Sequence, residues 1–127
     1  MNNCTMKIWG RVLDIAIVFD CYSDEKVLES QKLACNMFIE KASSLLDAAL
    51  PKVKQYCLEV NRHEIPEDKI ANIFKYVKPK TLFIKRTTES IRKVAVICAY
   101  KFNPDDGLAI VFENEEISDI GTENIII

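Results

Sequence analysis

The order of apolar periods along the chain predicts an α+β domain. Two N-terminal strands and a four-strand C-terminal meander form one antiparallel sheet, with helices inserted between them and packed on one face. Three observations carry this. Residues 6–20 are rich in β-branched and aromatic residues and alternate with period two. The middle of the chain repeats its apolar residues at steps of three and four. From Thr81 onward the period returns to two. With 127 residues, 49% hydrophobic and 28% charged, residues 1–127 have the size and balance of one domain with its own core.

The first strand is expected over residues 6–9, a turn or bulge at Gly10 and Arg11, and a second strand over 12–19. On that strand Leu13, Ile15, Ile17 and Phe19 oppose Val12, Asp14, Ala16 and Val18, so both faces should be at least partly covered, with Trp9 anchoring the sheet. Ser23 or Asp24 fits a helix N-cap, and Ala34, Phe38, Ala42, Leu45 and Ala49 line one face of the helix that follows. Pro51 lacks an N–H and clashes with the carbonyl four residues back, so the helix should break there. It should restart over 51–60 with Val53, Cys57 and Val60 inward. Another helix is expected from Pro66, burying Ile70, Ile73, Phe74 and Val77 and stopped by Lys78 and Pro79.

Strands then follow over 81–86 and 93–102, the second apolar on both faces and therefore central. Residues 103–107, Asn-Pro-Asp-Asp-Gly, make a turn. Residues 108–112 and 117–120 pair across 113–116, and 124–127 add a short terminal strand.

Composition removes several function classes. A net charge of −2 and pI near 5.5 supply no drive toward nucleic acid or anionic lipid. Residues 8–19 are interrupted by Arg11 and Asp14, so neither a signal peptide nor a membrane span is expected and the protein should be cytoplasmic. The five cysteines are an odd set without close pairs and read as reduced, mostly buried thiols. His63 has no partner at zinc-ligand spacing. Gly10, Gly107 and Gly121 are isolated, which leaves no phosphate-cradling loop. Cys57 and His63 do not suit a nucleophilic dyad, because Cys57 falls on the inner helical stripe. Asp20, Asp24 and Glu25 lack the glycine and distal glutamate of a calcium loop. Catalytic residues, metal and cofactor are accordingly not expected.

Charge is segregated. Residues 69–93 hold eight Lys or Arg against Glu89 alone, a net of +7, whereas residues 102–127 hold seven carboxylates and no Lys or Arg, a net of −7. Two readings stand open: the segments complement one another across paired strands, or the acidic one faces a basic partner. On the second reading the partner-binding residues are Glu113, Glu115, Glu116 and Asp119 on the last hairpin, with Asp105 and Asp106 on the preceding turn. Asp105 and Asp106 also serve an ordinary Asx turn.

Ile8-Trp9-Gly10, Phe19-Asp20-Cys21-Tyr22, residues 72–80 and residues 100–112 followed by Ile120-Gly121 together resemble a family of small bacterial α+β domains of unknown function. The resemblance spans most of the chain. It implies relatives that act as immunity proteins against polymorphic toxins, and brings no catalytic residues. The expected function is therefore non-enzymatic binding of another protein, in its sharpest form neutralisation of a basic toxin domain. The alternative is a small cofactor-free enzyme or ligand-binding domain with a cleft between helices and sheet.

Overall fold

A computed structural model describes residues 2–87 and 90–127. Glu89 of the basic segment lies outside the described residues. Strands β1 (Asn2–Ile8) and β2 (Arg11–Phe19) form a hairpin, α1 (Glu29–Val60) crosses over, and β3 (Val77–Ile84), β4 (Lys93–Tyr100), β5 (Leu108–Glu113) and β6 (Glu116–Gly121) follow. All six strands lie in one sheet in sequential order from β1 to β6.

The sheet is mixed and not purely antiparallel. β2 and β3 run parallel, Ile17 opposite Leu82, while every other neighbouring pair is antiparallel. The cause is the crossover: α1 carries the chain back along the sheet, so β3 starts at the end where β2 started. β1 begins at Asn2, earlier than expected, and the turn is Trp9-Gly10, with Ile8 paired to Arg11. Both turn residues have positive φ, 50° and 84°, the left-handed pair that a two-residue hairpin demands. Trp9 does anchor the structure, its Nε1–H donating to the Leu46 carbonyl of α1 at 2.8 Å.

One helix replaces the expected three. It opens at Glu29, not near Ser23, because Gln31 fixes its start: Oε1 accepts the Leu28 N–H at 3.0 Å, and Nε2 donates to the carbonyls of Asp20 and Ile84 at 3.0 and 3.3 Å. Gln31 is buried with all these bonds satisfied, tying the helix start to the ends of β2 and β3. The helix also runs through Pro51. Pro51 and Asp47, whose carbonyl loses its partner, both sit on the exposed side, so water serves the orphaned oxygen. The buried stripe runs Ala34, Phe38, Ala42, Leu46, Ala49, Val53 and Cys57. Leu46 takes the place expected of Leu45, and Val60 is exposed.

Residues 66–76 are not a helix. They form an irregular connection with a 3₁₀ turn, Ile73–Lys75, whose first free N–H, that of Phe74, is bonded by the Asn72 side chain at 3.1 Å. Ile70, Ile73, Phe74 and Val77 are nevertheless buried, as their chemistry requires. Pro79 lies within β3 opposite Cys98, and the register shifts between Pro79 and Thr81, the kind of irregularity at which a strand accepts proline. The C-terminal residues form a 3₁₀ turn, Glu123–Ile125, and not a strand.

α1 covers one face of the sheet. Phe38 and Phe112 meet there with ring centroids 5.0 Å apart. The opposite face is largely open. Ala95, Ala109 and Val111 are covered on that side by Ile126 of the C-terminal turn, with Phe83 and Ile97 partly buried beside them. The outer side of β2 is uncovered, contrary to the expectation of two covered faces: Val12 is 70% exposed and Val18 44%. No helix among the described residues is long and apolar enough to cross a membrane.

Candidate functional site

The two oppositely charged segments meet at one end of the sheet, where β3 ends and β4 begins. Arg92, just before β4, grips Glu115 of the β5–β6 turn through two bonds, Nε to Oε2 at 2.8 Å and Nη2 to Oε1 at 2.9 Å. Lys93 reaches Glu113 at 3.6 Å from its register partner across β4 and β5. Lys85 pairs with Asp20 at 3.4 Å and Arg86 with Glu25 at 3.5 Å. The reading in which the segments complement one another thus describes this end.

Of the six carboxylates marked in the sequence, Glu113 and Glu115 are held in these pairs. The Glu115 side chain is only 11% exposed. Glu116 and Asp119 on β6 and Asp105 on the turn are exposed. Asp119 accepts its neighbour's N–H, from Ile120, at 2.9 Å. Asp106 is half-buried, its carbonyl accepting the Glu123 N–H at 3.0 Å. The six do not converge on one point.

The Arg92 guanidinium holds the Glu115 carboxyl below its ordinary value of 4.5. A folded value below the unfolded one means that the pair stabilises the protein above about pH 4.5 and that this is lost as pH falls through the folded value. The stability difference between wild type and Arg92→Ala should therefore be widest near neutral pH and close on acidification. Urea midpoints at a series of pH values check it; a gap constant with pH contradicts it.

Cys57 and His63 are not placed as a pair. Cys57 is fully buried against the sheet and its thiol is pushed up by that burial, as are those of Cys35 and Cys98, while His63 is exposed in the loop after α1. In the native protein a thiol reagent should modify the half-buried Cys4 and Cys21, and reach Cys35, Cys57 and Cys98 only after unfolding. Mass spectrometry after limited labelling reads this directly, and fast native modification of Cys57 would contradict it. Among the described residues no group of three or more His, Cys, Asp or Glu could hold a metal ion.

Concavities outside these pairs include a hollow of about 240 Å³ that Asp119 lines with Lys52, Gln55 and Ile117, and two larger ones. A groove of about 520 Å³ runs along the second half of α1, with Pro51, Leu58 and Ile70 as its apolar lining and Lys54 and Glu59 at its margin. A second hollow, of about 420 Å³, lies where β3 starts and β4 ends, between Lys75, Tyr76, Lys78, Ala99, Tyr100 and Lys101. The Tyr76 hydroxyl donates to Glu67, which holds that carboxyl below its ordinary range. Sequence reasoning passed over this hollow because it joins residues of the expected third helix to the end of a strand. The signal present was the lysine-aromatic interleaving at 74–80.

The remaining surface feature is the open sheet face. Val12 and Val18 project from β2, and Val18 pairs with Phe83 of β3. Thr81, beside Phe83 on the same side, pairs with Ile97 of β4. On this side of β2 Val12 and Val18 are exposed on either side of Asp14 and the half-buried Ala16. A family model described as domain of unknown function (DUF6985) matches residues 1–127. No curated protein and no solved structure matches the chain.

Proposed function

Since the chain belongs to the family described as domain of unknown function DUF6985, whose description assigns no chemistry, we propose from the chain's own surface that it is a non-enzymatic protein-binding domain. The observation that carries the reading is the exposure of two valines, Val12 and Val18, on the side of the sheet that α1 leaves uncovered, with the partly buried Phe83 and Ile97 beyond them. A rigid sheet backed by a long helix presents such side chains without ordering cost, which favours association. Glu116 and Asp119 stand on the edge strand β6, where a basic partner would meet them. The sharpest version is a bacterial cytoplasmic protein that neutralises a toxin domain; the resemblance noted in the sequence supports it. The ligand-binding alternative would use the groove along α1, where Pro51, Leu58 and Ile70 stand among Lys54, Gln55, Glu59 and Lys69.

The first step of the test is the gene neighbourhood, where this reading expects a toxin-like domain to be encoded. Wild-type protein co-produced with that domain should restore growth and co-purify with it, and a neighbourhood without one removes the toxin-neutralising version. Val12→Gln combined with Val18→Gln should fold normally and lose both effects, since both positions are exposed. Growth arrest unaffected by the wild type removes the toxin-neutralising version. Capture undiminished in the double variant removes the open face.

A further inference from the structure

We propose that the hollow between the start of β3 and the end of β4 docks an acidic segment of the protein partner, an inference that rests on the protein-binding reading and names the partner's chemistry at one end of the same face. Lys78 pairs with Ala99 across β3 and β4, on the side that α1 does not cover, so the hollow opens onto the outer face. Lys75, Lys78 and Lys101 line the hollow, Lys80 follows Lys78 on β3, and their ion pairing differs from that at the other end of β3 and β4. Lys85, Arg86, Arg92 and Lys93 each have a carboxylate within 4 Å. Among the described residues Lys78, Lys80 and Lys101 form no ion pair, and Lys75 has only Glu67 at 3.8 Å, a carboxylate already engaged by Tyr76. Asp105 and Asp106 follow Pro104 at the margin of the hollow and form no ion pair with these lysines either. The positive charges of Lys78, Lys80 and Lys101 therefore have no ion-pair partner of their own among the described residues, and an arriving anion supplies one.

The arrangement favours a chain of carboxylates over a single compact anion. The ammonium groups are point charges on the turn before β3, on β3 itself and just after β4, and the residues lining the hollow include no arginine fork and no glycine to wrap a phosphate. Tyr76 and Phe102 stack at 5.5 Å, and the Lys101 ammonium lies 5.9 Å from both rings. These rings fix the Lys101 ammonium beside the hollow. Ala99, exposed and small, leaves the path from the hollow onto the open face clear.

A labelled oligo-glutamate peptide is the probe, titrated by fluorescence anisotropy into the intact protein at low salt. Binding should weaken about tenfold or more in Lys78→Glu combined with Lys101→Glu, and stay unchanged in Lys32→Glu on the far side of the molecule. It should also fall steeply with added salt. Equal affinity in the double variant and wild type, or no binding by wild type, overturns the proposal. Inorganic phosphate that binds wild type more tightly than the peptide does overturns it in favour of a small-anion site. The two readings fail separately. The Val12→Gln and Val18→Gln variant should keep peptide binding, and a partner captured equally by wild type and the lysine variant leaves the open face standing while removing the hollow.

Discussion

Phe38→Ala is expected to destabilise the protein by roughly 3–5 kcal/mol, the range for emptying a large aromatic site that cannot collapse. Phe38 is fully buried at the centre of the α1 stripe, and its ring lies 5.0 Å from that of Phe112, which is 1% exposed. The neighbours that would have to close the cavity are fixed on both sides. Ala34 and Ala42, one turn away along α1, are too small to fill it, and Phe112 is held in the ladder between β4 and β5. Chemical denaturation should show a large fall in midpoint with little change in slope. An unmoved midpoint would mean that α1 does not pack on this face.

Gly107→Ala should cost on the order of 3 kcal/mol, far more than its single added methyl suggests. Gly107 sits at φ 59°, where a side chain costs about 1–2 kcal/mol by itself. A Cβ there would also stand 2.6 Å from the Cys98 carbonyl oxygen. That oxygen belongs to backbone in the central strand, opposite Leu108, and cannot swing away as a side chain would. Gly10→Ala is the matched control. Its φ is 84°, but a Cβ there meets nothing within 4 Å, so only the same conformational cost of about 1–2 kcal/mol remains. Thermal or urea unfolding of the two variants separates the terms, and equal losses would remove the steric one.

Strand chemistry was readable because it is local. The period-two runs around Ile15, Val96 and Ile110 placed strands correctly, and the Asp-Gly turn closed where expected. What escaped depends on contacts far along the chain. Pro51 signals a break only if its carbonyl partner is buried, and the exposure of Asp47 is decided by how α1 docks. Residues 66–76 carry helix-like spacing, yet Val77 is claimed by Tyr100 across the ladder, and propensity yields to that pairing. The parallel pair of β2 and β3 follows from the length of the crossover, which periodicity does not encode. For the interaction surface, the charge blocks were visible in the sequence, but the Arg92 to Glu115 clasp was not. The open side of β2 was also hidden, because Val12, Ala16 and Val18 look like buried residues until the position of the single helix is known.

The parallel pairing also sets the order in which the chain can find its fold. β1 and β2 close over a two-residue turn, and β3 to β6 are joined by connections between neighbours, so both units need only short conformational searches. Joining them brings Ile17 to Leu82, 65 positions apart, and repays that closure only when the seam between β2 and β3 forms. Refolding kinetics should accordingly be governed by this one encounter, with mutations along the seam at Ile17 or Leu82 slowing refolding more than equally destabilising changes within β6.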